Sequence, residues 1–212
     1  MGSRLFWLIL GFVLGAAAVF FAPRYGFLKK NLPAGGCPEL ALNKVMRKLW
    51  ADHVIWTRQY IVDALSNAPS KEVTTQRLLK NQVDIGNAVA QFYGKDAGDA
   101  LTALLKDHIL IAADLIAAAM AHDTPAFEMA NKKWHDNARE IAEFLHKANP
   151  ENWPLPVMIV MMNEHLAVTT QEVQARLDGK WAEDIHVFDE VFEQIMKMAD
   201  ELTEGIYLKF IA

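Results

Sequence analysis

Cysteine is nearly absent from this chain. Cys37 is the only one in 212 residues, so no intrachain disulfide can form and no Cys/His cluster can hold zinc. Positive charge is also scarce: 21 Lys and Arg stand against 26 Asp and Glu, a net charge of -5. That balance argues against a nucleic-acid partner, which needs a basic surface, and no later stretch carries a Lys/Arg stripe with interleaved aromatics. Period-two alternation is missing beyond the first 37 residues, which excludes half-buried strands. There is no G-x-S-x-G and no phosphate loop. No nucleophile–base pair can be named, so the reading leans away from an enzyme. The prolines are few and placed where a missing N–H costs least. Pro38, Pro69, Pro125, Pro150, Pro154 and Pro156 all fall between helices or in a first turn.

Apolar residues are abundant, and their excess sits at the N-terminus. Leu5 to Ala22 is an uncharged run of eighteen residues closed by Pro23 and Arg24. At about 1.5 Å per residue it spans about 27 Å, the thickness of a bilayer's hydrocarbon core. Residues 1–24 are therefore expected to be a single transmembrane anchor. The competing reading is a cleaved signal peptide, for which Ala16-Ala17-Ala18 supplies an A-x-A site. Gly11 and Gly15 form a G-x-x-x-G pair that would let another transmembrane helix, alone or in a membrane complex, approach closely. Arg4 precedes the run whereas Arg24, Lys29 and Lys30 follow it, so the positive-inside rule leans toward a cytoplasmic remainder. The run and its exit, Phe21-Ala22-Pro23-Arg24-Tyr25-Gly26, resemble the N-terminus of small bacterial stress-related single-pass proteins.

Residues 25–37 read as a linker rich in turn formers, and 38–212 as a helical bundle domain. Stripes of 3.6-residue period predict six helices over about 38–67, 71–93, 97–121, 125–148, 154–178 and 180–210. Ser70, Asp96 and Thr124 are the expected N-caps, and Gly94 and Gly179 the expected stops. Short turns make sequence neighbours antiparallel, which gives an all-α up-down bundle of three helical hairpins.

The odd-numbered helices share a local pattern of acid, histidine, aliphatic: Asp52-His53-Val54, Asp107-His108-Ile109 and Glu164-His165-Leu166. The even ones echo each other more faintly, with Asp84, Asn137 and Asp184 each three residues after Asn81, Trp134 and Trp181. Spacings of 55 and 57 residues between the histidines suggest an old triplication.

Each histidine sits mid-stripe, so all three should point inward. Thr57 and Thr169 follow on the same face, and Glu172 extends it. Counting residues from the turns places Asp84, Asn137 and an acid near Asp189 at matching heights. Three imidazoles with one or two carboxylates form a ligand set suited to Fe, Cu or Zn. The metal-ligand candidates are thus His53, Asp84, His108, His165 and Asp189, with Thr57, Asn137, Thr169 and Glu172 lining the same space. The spacing departs from the paired Glu-x-x-His of di-iron bundles. A purely structural hydrogen-bond network, or a pocket for a small organic ligand, fits the same residues.

The segments LWADHVIWTR, NQVDIGNA, DHILIAADL, WHDNAREIAEFL, EHLAVTTQEV and MADELTEGI, spread over most of the chain after Leu49, resemble an uncharacterised all-helical family of bacterial proteins. The resemblance implies that His53, Asp84, His108, Asn137, His165 and Asp184 belong to a shared pattern, and it assigns no activity. Members of that family lack the apolar N-terminus. Its presence here implies a bundle brought to the bacterial plasma membrane, either to bind a ligand such as a metal ion or to serve as an accessory or scaffolding subunit.

Overall fold

A computed structural model describes residues 37–212; the expected anchor, the Gly11/Gly15 pair and most of the linker lie outside the described residues. The described chain is entirely helical. Its elements are α1 (Pro38–Leu65), α2 (Lys71–Tyr93), α3 (Lys95–Met120), α4 (Thr124–Ala148), α5 (Leu155–Leu177) and α6 (Trp181–Phe210). These bounds fall within about two residues of those read from periodicity. Among the described residues no helix is long and apolar enough to cross a membrane.

The punctuation follows backbone chemistry, with two adjustments. Gly94 takes φ 91° and separates α2 from α3, so α3 starts at Lys95 and Asp96 lies in its first turn rather than capping it. The cap of α4 is Asp123, not Thr124: its carboxylate accepts from the Ala126 N–H at 3.0 Å. Asp is the stronger acceptor at that position, and Pro125 follows in the first turn. Ser70 does precede α2, without a side-chain cap. Gly179, at φ 67°, ends α5 as expected. The longest connection, 149–154, is pinned: Asn149 Nδ2 donates to the Gly205 carbonyl at 2.8 Å, and Trp153 is buried against α6.

Each helix packs on its sequence neighbours, and α6 packs back on α1, so six helices close into a ring around one axis. The three hairpins α1–α2, α3–α4 and α5–α6 repeat one another layer by layer. Three residues before the histidines stand Trp50, Leu105 and Met162, all buried. Eight residues after them stand Ile61, Ile116 and Val173, which form a separate apolar cluster at one end. The larger cluster, drawn from all six helices, fills the other end. The histidine layer lies between the two.

The backbones of α2 and α3 approach closely where two glycines face each other. A Cβ on Gly86 of α2 would stand 2.5 Å from the Gly98 carbonyl oxygen of α3 and would overlap Thr102. Backbone oxygen cannot move aside as a side chain can, so the helices would have to separate. Gly86→Ala is therefore expected to lower unfolding free energy by about 1–3 kcal/mol without loss of helical circular dichroism. An unchanged urea midpoint would show that the two helices part freely.

Candidate functional site: a buried layer of three imidazoles

Three parallel helices, α1, α3 and α5, carry the histidines to one level. His53, His108 and His165 are each 5% exposed or less. The His165 ring lies 5.7 Å from the His53 ring and 6.3 Å from the His108 ring, centre to centre. Trp50 abuts His53 edge-on at 5.6 Å and Trp134 flanks His108 at 5.3 Å.

A repeated amide relay sets the orientation of two of these rings. Asn137 Oδ1 meets His108 Nδ1 at 2.8 Å, while Asn137 Nδ2 donates to the Leu104 carbonyl at 3.1 Å. In the third hairpin Gln194 Oε1 meets His165 Nδ1 at 3.1 Å, and Gln194 Nε2 donates to the Met161 carbonyl at 3.0 Å. In the first, Asn81 Nδ2 donates to the Leu49 carbonyl at 3.0 Å, and Gln82 Nε2 donates to Asn81 Oδ1 at 3.1 Å. Each amide thus anchors on the carbonyl one turn before its histidine. A carboxamide oxygen facing Nδ1 requires a proton there, which leaves Nε2 with its lone pair.

The rings are held neutral. Burial, followed by the proximity of the His165 ring, brings His108 down to about 3, against the pull of Asn137. Burial brings His165 down to about 4, opposed by Gln194. Burial, and then its two companions His165 and His108, lower His53 well below its ordinary value. The Gln82 side chain opposes that shift, yet His53 Nδ1 and Gln82 Oε1 each lack a full hydrogen-bond partner. His108 Nε2 and Thr169 Oγ1 are likewise buried and unpartnered. Unmade hydrogen bonds of this kind cost about 1–3 kcal/mol each, and several of them fall at this one level of the bundle.

The imidazole layer separates two internal cavities. One, of about 20 Å³, reaches toward Trp153 and is lined by all three histidines with Met46, Met162 and Met198. The other, of about 30 Å³, is lined by the same histidines with Thr57, Tyr60 and Thr169. Each volume suffices for a water or a small ion.

Beyond the second cavity the ring of helices is closed by charge. Arg58 of α1 donates to Glu172 of α5 at 2.9 Å and to both oxygens of Asp184 of α6. Arg176 reaches Asp184 at 2.8 Å. Burial lifts Glu172 to about 7 despite Arg58. Burial acts on Asp184 too, but Arg58 and Arg176 overcome it and hold that carboxyl below its ordinary range.

The three histidines, Asn137 and Thr169 are therefore gathered as the stripes imply. Thr57 borders the second cavity, although its hydroxyl donates to the His53 carbonyl at 2.8 Å. Glu172 is buried but belongs to the charge cluster, two turns from the layer. Asp84 and Asp189 do not join it. Asp84 is partly exposed and bonded to Lys80 at 2.8 Å, and Asp189 is exposed. The acids of the acid–histidine pattern also turn outward: Asp52 pairs with Lys48 and Arg77, and Asp107 and Glu164 are exposed. The residues that replace them, Asn81, Gln82 and Gln194, had a legible signal. An Asn or Gln follows each histidine by 28 or 29 residues (Asn81, Asn137, Gln194), whereas the expected set Asp84, Asn137 and Asp184 has no constant spacing from the histidines.

The described residues define a class: a closed six-helix bundle built around a buried, uncharged three-imidazole layer. Comparison with protein-family models, curated proteins and solved structures finds no match in any of the three.

Proposed function

We propose that the bundle binds one transition-metal ion through His53, His108 and His165, and that residues 1–24 tether it to the bacterial plasma membrane, with Gly11 and Gly15 available to a partner span. The observation that carries the reading is the convergence of three neutral imidazoles, two of them held through Nδ1 by carboxamides with Nε2 left to a ligand. Histidine ligands usually have their second nitrogen hydrogen-bonded in this way, which fixes ring orientation and tautomer. Three imidazoles sharing an ion at about 2.0–2.1 Å have ring centres about 5–6 Å apart. The spacings of 5.7 and 6.3 Å are near that range. Among the described residues no group of three or more His, Cys, Asp or Glu side chains stands as a preformed metal cage, so binding would draw the three helices and their rings closer together. The anchor rests on the apolar run alone.

The full chain, purified in detergent, is expected to carry one equivalent of Fe, Cu or Zn. Its X-ray absorption should show nitrogen donors at about 2.0–2.2 Å. His53→Ala, His108→Ala and His165→Ala should each abolish the stoichiometric metal. A second reading is an accessory or scaffolding subunit whose layer is structural, and the completed amide relays favour it. On that reading the protein is metal-free, and each substitution costs only about 1–3 kcal/mol by stranding a buried amide.

A further inference from the structure

We infer that the ion this layer selects is soft and monovalent, copper(I), bound on the side of the layer where thioethers gather. The inference rests on the reading of the layer as a metal site and narrows it. Its first support is charge. No Asp, Glu, Lys or Arg lines either cavity at the layer. The two carboxylates of the nearby cluster are already committed to Arg58 and Arg176. An ion entering the layer therefore keeps its full charge inside an apolar bundle. The cost of burying a charge rises with its square, so a divalent ion is penalised far more heavily than a monovalent one.

The second support is the asymmetry of the donors. Met46 lies seven residues before His53 on α1, and Met162 three before His165 on α5. Met198 lies four after Gln194 on α6, which runs the opposite way. All three side chains are buried and line the same cavity as the three imidazoles. The three methionines come from three different helices and all border the cavity on that side of the layer. Thr57 and Thr169 border the cavity on the other side. Sulfur and imidazole donors without carboxylate suit copper(I), whereas hard oxygen donors would suit harder ions. His108 Nε2, buried beside this cavity without a hydrogen-bond partner, supplies an open nitrogen.

The test titrates the full chain in detergent, without oxygen, with copper(I) against a colorimetric copper(I) chelator, and in parallel with zinc(II) against a zinc chelator. One copper(I) per chain and much weaker zinc(II) binding are expected. The variant Met46→Leu/Met162→Leu/Met198→Leu preserves volume and apolarity, so it should remain folded. It should weaken copper(I) by about tenfold or more, the scale on which changes around a metal act. Should the triple variant fail to fold, Met162→Leu alone carries the same expectation. Zinc(II) bound as tightly as copper(I), or copper(I) affinity indifferent to the methionines, would overturn the inference while leaving a metal site standing. Failure to bind either ion would overturn both.

Discussion

Asp184→Asn is expected to lower the unfolding free energy by about 3–5 kcal/mol, the cost of removing one member of a buried ion group. Asp184 is 1% exposed, and its carboxylate accepts from both terminal nitrogens of Arg58 and from Arg176. Asparagine keeps the shape but offers one acceptor oxygen and no charge. Arg58 would then keep Glu172, to which it donates at 2.9 Å, as its one anionic partner among the described residues. Part of the loss would be recovered as Glu172, no longer facing a second carboxylate, ionises more readily, which places the result toward the lower end of the range. The control is Asp189→Asn on the same helix. Asp189 is exposed, and its substitution should change stability by less than about 0.5 kcal/mol. Chemical denaturation of both variants decides the matter, and equal, small losses would mean that water reaches the cluster.

Acid should unfold this protein through its three histidines. Their folded-state values lie below the ordinary 6.5, at about 3 for His108 and about 4 for His165, with His53 also well below. The unfolded chain therefore takes up protons first. The stability they contribute is fully present above pH 6.5 and is lost as pH falls toward the folded values. Between pH 6.5 and 4.5 His108 and His165 each contribute a loss of about 2 kcal/mol, about 4 together, and His53 adds to it in the same direction. Glu172 has the opposite sign. Lifted by burial to about 7, it binds its proton in the folded state before the unfolded chain does, and returns about 2 kcal/mol over the same interval. The net expectation is a fall of at least about 2 kcal/mol, deepened by His53 and measured by urea unfolding at fixed ionic strength. Glu172→Gln should remove the offset and steepen the decline. A flat profile down to pH 5 would mean that the rings become charged in place, and hence that solvent enters the layer.

Both expectations depend on residues whose local and distant relations differ. Arg58 lies on the same helix as His53, and periodicity leaves its direction between the pocket and solvent. Its partners are 114 and 126 residues away, and nothing in a local window links them. His53, His108 and His165 are different. A histidine flanked at helical spacing by Leu49, Trp56 and Tyr60 has only one apolar side on which to lie, so its inward direction follows from the 3.6-residue period.

Number, length and orientation of the helices were thus determined by the chain itself. Proline and glycine can occupy only a few backbone positions, and an apolar stripe must be covered. The triplicate histidines and their inward aim belong to the same level. Tertiary structure decided which polar groups meet them. Asn81 and Asp84 are three residues apart on α2, yet the first is buried and the second is paired with Lys80 near solvent. A shift of a fraction of a turn separates those outcomes. The angle at which α2 faces the axis is set by its packing against α1 and α3, where Gly86 and Gly98 bring the α2 and α3 backbones together. Amides won the inner positions because an uncompensated carboxylate there would be buried among neutral rings. The acids were left to the surface or to the arginines of the charge cluster.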